Sequence, residues 1–224
     1  MKAIVLAGGF GTRLQSVVKD VPKPMAEING KPFLAYLFDN LVKYGINEII
    51  VSVGYKQESI IRYFKTNYKG IAIRYSSEEE PLGTGGAIKK AIQLLDPNQE
   101  VLILNGDTFF NLDLGRFSFV SKGKKIALAL KPMKNFDRYG SVEVDDKNVI
   151  SFQEKSFVSE GLINAGIYFI NTDIFKQMRE DIFSFETFLQ SQTDIGFYIE
   201  DSYFIDIGIP DDYKKAQIDF KELF

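Results

Sequence analysis

Through roughly the first half of the chain, short runs of apolar and β-branched residues alternate with longer segments whose apolar positions recur at helical spacing. That alternation predicts a mostly parallel sheet covered by helices. Residues 2–7 (KAIVLA) predict a fully buried strand ending in the turn Gly8-Gly9-Phe10-Gly11. Residues 33–44 (FLAYLFDNLVKY) predict a helix stopped by Gly45. A strand over 48–53, a helix over 57–64 and a strand over 71–76 follow. The segment 83–95 (GTGGAIKKAIQLL) opens with glycines and continues as an amphipathic helix, and 100–104 is a strand that runs into Asn105-Gly106-Asp107. The texture then changes. Segments 126–130, 140–144, 149–153 and 162–170 predict strands with few helices between them, and 142–152 reads as a hairpin turning at 145–148. Helices return near 172–178, near 185–192 and after Pro210. Linkers, repeats and low-complexity tracts are absent. The expectation is one α/β domain, Rossmann-like, with a mostly parallel central sheet flanked by helices and a more β-rich second half.

Composition removes whole classes of chemistry. The 224 residues contain no cysteine and no histidine. Disulfides, thiolate metal sites, thiol nucleophiles, imidazole catalysis and histidine zinc ligands are therefore excluded. Asp, Glu, Lys, Arg, hydroxyls, backbone groups or a borrowed cation must carry any reaction. A net charge of -3 argues against a general polyanion binder, so nucleic acid is not an expected partner and a phosphate site must be a local cluster. The apolar run after Met1 stops at Gly8-Gly9 and is followed by Arg13, too short for a secretory leader, and no segment approaches membrane-spanning length. A cytoplasmic protein without membrane partners is expected.

The strongest local feature is the first strand with Gly8-Gly9-Phe10-Gly11-Thr12-Arg13. Glycines at the carboxyl end of a strand let backbone N–H groups approach phosphate closely, and ligands of open α/β sheets bind at such ends. Neither familiar phosphate loop fits. No G-x-x-x-x-G-K-[ST] string occurs, and the dinucleotide pattern fails because Leu14 stands where the third glycine belongs. Arg13 delivers a fork of donors into this turn; the structural alternative is a tight strand-to-helix turn with a solvated arginine. Downstream, Pro22 and Pro24 push the residues before them toward extended geometry and hold Lys23 on a stiff frame. Such a lysine suits a phosphate clamp, or an ordinary surface turn.

Together LAGGFGTRL, VPKPM and Gly30-Lys31-Pro32 resemble the opening of the sugar-1-phosphate nucleotidyltransferases. Further pieces resemble that family in the same order: Pro81-Leu82-Gly83-Thr84-Gly85-Gly86-Ala87, Asn105-Gly106-Asp107, Glu154-Lys155, Asn164-Ala165-Gly166 and 206–213 (DIGIPDDY). The likeness spans 1–213, and within the family it is nearest to the D-glycero-D-manno-heptose 1-phosphate guanylyltransferases. Muramate-1-phosphate uridylyltransferases and glucose- or mannose-1-phosphate enzymes compete. One departure is Ser156 after Lys155, where many members carry proline. No β-helical acyltransferase extension follows Tyr213, so a second activity is not expected.

The resemblance implies transfer of a nucleoside monophosphate from a triphosphate to a sugar 1-phosphate, with release of pyrophosphate and with Mg²⁺ as cofactor. It divides the chain into a nucleotide half, about 1–110, and a sugar-phosphate half, about 111–224. The attacking group is already an anion, so a protein without histidine needs no general base. Asp107 and Asp206 are the expected magnesium ligands, each beyond a predicted strand; a turn-forming aspartate and a helix N-cap are the structural alternatives. Arg13 and Lys23 are expected to neutralise the triphosphate and departing pyrophosphate, and Lys155 to hold the sugar phosphate, or else to pair with Glu154. Glu154 and Asn164 would bond sugar hydroxyls, and the Gly140 backbone would pass close to the sugar. Nucleotide contacts are expected from Leu6, Ala7, Gly8, Gly9, Gly11, Thr12, Arg13, Lys23, Glu80, Gly83, Thr84, Gly85, Asn105 and Asp107. Glu80 could read a purine, although the run Glu78-Glu79-Glu80 looks solvated. Guanine rests on the resemblance. The oligomeric state is open, and a homo-oligomer is compatible with the sequence. A catalytically silent nucleotide-sugar sensor is the competing class, and a dinucleotide-dependent oxidoreductase is disfavoured by Leu14.

Overall fold

The computed structural model describes residues 1–11, 13–14 and 16–224. In chain order the elements are β1 (Lys2–Leu6), a 3₁₀ turn (Lys23–Met25), β2 (Glu27–Ile28), β3 (Lys31–Pro32), α1 (Phe33–Lys43), β4 (Glu48–Val53), α2 (Gln57–Phe64), β5 (Asn67–Tyr68) and β6 (Ile71–Ser77). Then come α3 (Gly83–Ile92), β7 (Glu100–Asn105), β8 (Thr108–Phe110), α4 (Leu114–Val120), β9 (Ile126–Phe136), β10 (Ser141–Val144), β11 (Val149–Phe152) and β12 (Val158–Asn171). A second 3₁₀ turn (Thr172–Phe175), α5 (Phe185–Gln190), β13 (Gly196–Ile199), β14 (Phe204–Asp206) and α6 (Pro210–Leu223) complete the chain.

Strands β6, β4, β1 and β7 lie side by side and parallel. The apolar runs of β1, β4 and β7 follow from burial on both faces, whereas β6 alternates, with Ala72 and Arg74 exposed. Alternate residues serve opposite layers: Ala3, Val5, Ile49, Val51, Leu102 and Leu104 pack with α1, whereas Ile4, Ile50, Val101 and Ile103 pack with α3. Helix α1 stops because Gly45 adopts φ +68° and closes the last turn, with Ile46 N–H donating to the Leu41 carbonyl at 3.2 Å.

Successive crossovers carry the chain from β1 to β4 and β6 on one side; α3 then returns it to β7 on the other side of β1. The strand order therefore reverses between β1 and β7, which opens a crevice at their carboxyl ends. β12 adds antiparallel to β7 and bridges to β9, β10 and β11. One sheet thus runs through both halves. The hairpin at 142–152 forms with Val142 opposite Phe152.

Several features depart from the expectation, among them the helix predicted near 172–178, which is only a 3₁₀ turn over Thr172–Phe175. Helix α4 forms where no helix was predicted: Asp113 caps it by accepting from Arg116 N–H at 2.9 Å, while Gly115 and the spacing of Phe117, Phe119 and Val120 blur the helical period. Short strands β8, β13 and β14 also arise, fixed by pairing with distant partners rather than by local pattern. Lys23 opens a 3₁₀ turn instead of lying extended, because Met25 and Ala26 N–H groups close i→i+3 bonds to the Pro22 and Lys23 carbonyls at 2.8 and 3.0 Å.

Candidate active site

Two cavities, of about 860 and 430 Å³, open at this crevice. Arg13, Lys23, Asn105 and Asp107 line both. Two ligands could therefore meet across that common wall.

A short antiparallel ribbon brings the acidic pair together. β14 pairs with β8 so that Asp206 lies opposite Thr108, and Ile207 N–H donates to the Asp107 carbonyl at 3.0 Å. The 3₁₀ turn then places Lys23 against both side chains. Its ammonium donates to Asp107 Oδ2 at 2.5 Å and to Asp206 Oδ1 at 3.2 Å, with only 10% of the lysine side chain exposed. Gly208 N–H also donates to Asp206 Oδ1, at 2.7 Å. Burial first, and the Asp107 carboxylate second, push the Asp206 carboxyl above its ordinary range, against the pull of Lys23 and the Gly208 N–H. Two carboxylates sharing one ammonium leave a net negative charge. That donor set fits a magnesium ion, which takes one or two carboxylates and fills its octahedron with phosphate and water oxygens. Among the described residues no cluster of three or more acidic or histidine groups offers a closed all-protein cage.

Leu6, Ala7, Gly8, Gly9, Gly11, Arg13, Lys23, Glu80, Gly83, Thr84, Asn105 and Asp107 line the larger cavity. Thr12 lies outside the described residues. Gly85 departs from its expected place: it is buried against Phe183, where a Cβ would lie 2.1 Å from the ring. Its role is to let α3 pack on the 181–183 segment. Glu80 is exposed, whereas Glu78 is held. Glu78 Oε1 accepts from Ser52 Oγ at 2.8 Å and Oε2 from Leu82 N–H at 3.2 Å, and both Ser52 and Glu78 line the cavity. Glu78 was hidden in a charge run, but it directly follows the carboxyl end of β6, the position that ligands of such sheets favour.

Gly140, Glu154, Lys155, Asn164 and Asp206 all line the smaller cavity. Glu154 and Lys155 are exposed, and no ion pair joins them among the described residues. Asn164 is less free than expected. Its Nδ2 donates to Tyr168 Oη at 3.0 Å and its Oδ1 accepts from Gly166 N–H at 3.1 Å, which leaves one hydrogen and one lone pair for a ligand. A bulge between Asn164 and Tyr168 turns this stretch, with Gly166 at φ +70° against the Asn105 side chain.

The sequence reading missed Arg138, Glu186 and Gln190, which also line this cavity. Arg138 is ion-paired with Asp212 at the start of α6. Beside it, burial first and then the Asp206 carboxylate push the Tyr139 hydroxyl up to about 12, so it remains a neutral donor.

A family model described as nucleotidyl transferase matches residues 2–222. The chain is 53% identical over 218 residues to the D-glycero-alpha-D-manno-heptose 1-phosphate guanylyltransferase of Campylobacter jejuni, covering 95% of this chain and 97% of that protein. It is 52% identical to the protein of the same name from Aneurinibacillus thermoaerophilus, covering 97% of each. The crystal structure of HddC from Yersinia pseudotuberculosis matches with a TM-score of 0.90 at 40% identity, covering 98% of this chain and 99% of that one. The same protein complexed with GMP-PN matches with a TM-score of 0.88.

Proposed function

The chain belongs to the nucleotidyl transferase family, and from that premise we propose that it transfers GMP from GTP to D-glycero-D-manno-heptose 1-phosphate, giving GDP-heptose and pyrophosphate for bacterial surface glycans. The observation that carries this reading is the pair of cavities meeting at Arg13, Lys23, Asn105 and Asp107. Identity of 52–53% to two heptose 1-phosphate guanylyltransferases over nearly the full length supports the choice of substrates.

The larger cavity takes GTP. The glycine turn after β1 suits the phosphates, with Arg13 beside them. Glu78, oriented by Ser52, is the carboxylate we assign to guanine, since it can accept from the base's two adjacent N–H donors. The smaller cavity takes the sugar phosphate, with Lys155 on the phosphate and Glu154 on hydroxyls. Residues about 1–110 thus form the nucleotide half and about 111–224 the sugar-phosphate half, with Asn105 and Asp107 serving both.

A sugar phosphate oxygen attacks the α-phosphorus in line with the departing pyrophosphate. The α–β phosphoanhydride bond breaks as the new P–O bond forms, and no proton need move. The protein's contribution is therefore positioning and charge neutralisation. Asp107 and Asp206 would hold Mg²⁺, which when bound neutralises charge on the reacting phosphates. Lys23, which lines both cavities, would neutralise the triphosphate and the departing pyrophosphate. Such a protein works in the cytoplasm on soluble substrates; among the described residues no helix is long and apolar enough to cross a membrane.

The test is magnesium-dependent pyrophosphate release across GTP, UTP, CTP, ATP and dTTP against heptose, mannose, glucose and muramate 1-phosphates. Release with GTP and the heptose phosphate above all other pairs is expected. Preference for another pair would overturn the substrate assignment, and silence from protein that still binds GTP would favour a sensor.

A further inference from the structure

Helix α5 carries a carboxylate that the reading above does not use. Its buried side is fixed by Phe185 and Leu189, with the Phe185 ring edge-on to Tyr168 at 5.0 Å. That phase turns Glu186 and Gln190, one helical turn apart, toward the smaller cavity, which both line.

Glu186 is held in an unusual way. Thr84 Oγ1 accepts from Phe185 N–H at 2.8 Å and donates its only proton to Glu186 Oε2 at 2.8 Å. Ser184 Oγ, the cap of α5, accepts from Thr187 N–H at 3.3 Å and donates to the same Oε2 at 2.7 Å. Two neutral hydroxyls thus fix one carboxylate oxygen. Among the described residues Oε1 has no hydrogen-bond partner and Glu186 has no ion pair. A side chain locked by its neighbours, with its second oxygen left over at a cavity wall, is the arrangement of a preorganised acceptor. Asn164, expected together with Glu154 to bond sugar hydroxyls, is already half committed to Tyr168 and Gly166.

We propose that Glu186, assisted by Gln190, is a specificity-determining residue that accepts hydrogen bonds from adjacent hydroxyls of the acceptor sugar. The inference rests on assigning this cavity to the sugar phosphate. A carboxylate acceptor with a carboxamide one turn away spans about 5–6 Å, which suits neighbouring hydroxyls better than phosphate.

Glu186→Gln is the informative variant, because its carbonyl oxygen can keep both hydroxyl donors while an NH₂ replaces Oε1. Steady-state kinetics would be measured on wild type, Glu186→Gln and Gln190→Ala with heptose 1-phosphate and a panel of its monodeoxy analogues, alongside the GTP dissociation constant and Tm. The expected result for Glu186→Gln is an acceptor KM raised about 10- to 100-fold, with GTP affinity and Tm unchanged. Gln190→Ala should move in the same direction by less. At least one monodeoxy analogue should be as poor for wild type as the full sugar is for Glu186→Gln, and no worse for the variant. An unchanged acceptor KM, additive losses across the whole panel, or a GTP affinity that falls in step with the acceptor would overturn the inference. The last would make Glu186 only a tie between the Thr84 loop and α5. Wild-type enzyme that binds GTP but turns over no sugar 1-phosphate would instead overturn the reaction assignment, and this inference with it.

Discussion

Replacing Lys23 with methionine keeps the apolar stem and removes the ammonium that Asp107 and Asp206 share at 2.5 and 3.2 Å. Deleting one partner of a buried ion pair costs about 3–5 kcal/mol, because the remaining charge is stranded. Asp107 is 34% exposed, so solvent screens part of that cost and about 2 kcal/mol is the better figure. For a chain of this size that lowers Tm by about 4–8 °C. The sign with pH follows from Asp206. Burial and Asp107 already hold its carboxyl above the ordinary range, so the folded state binds that proton more tightly than the unfolded chain. For an acid shifted upward, the unfavourable contribution is absent below the unfolded value and grows as pH rises through the folded one. Lys23 provides two of the three opposing pulls, by charge and by hydrogen bond, and its loss widens that window. The deficit of Lys23→Met should therefore be small near pH 4 and grow as pH rises above the ordinary carboxylate range. Saturating magnesium should also shrink it, because the carboxylates gain another cation. Differential scanning fluorimetry from acid to neutral pH, with and without magnesium, reads all of this. A deficit independent of both pH and magnesium would refute the reasoning.

Other outcomes can be checked separately. Glu78→Gln should erase a preference for GTP over inosine triphosphate of about tenfold in kcat/KM, since the missing 2-amino group is one of the donors assigned to that carboxylate; an unchanged ratio removes Glu78 from base reading. Gly166→Ala places a Cβ 2.4 Å from Asn105 Nδ2 at a φ of +70°. It should lower Tm by about 4–8 °C and kcat by about tenfold or more, because the wall common to both cavities is displaced; a melting shift with normal kcat would make Gly166 purely structural. Asp113→Ala removes the α4 cap and should cost about 1 kcal/mol, or about 2–4 °C, with kinetics untouched.

Local pattern made most of this fold legible. The strand at 48–53 and the helix at 57–64 match β4 and α2 end for end, because their apolar periods survive into buried faces. The glycine turn, Asn105 and Asp107 were legible too, since they sit where strands end in a parallel sheet. Helix α4 was not: a glycine and an irregular apolar spacing masked a seven-residue segment that only its cap announces.

What the sequence determined by itself was the chemistry available and the strand-end positions offering it: no imidazole, no thiol, and acids and bases at the ends of predicted strands. Tertiary structure decided which of those groups meet. Lys23, Asp107 and Asp206 span 183 positions and touch only because β14 pairs with β8 beside a proline-framed turn. Glu78 and Glu80 are indistinguishable in a run of three glutamates until Ser52 and the Leu82 N–H hold one of them. Glu186 becomes a fixed acceptor only when Thr84, 102 positions away, reaches it. Periodicity reports a residue's own element and face; distant pairings depend on how those faces stack, which no local pattern encodes.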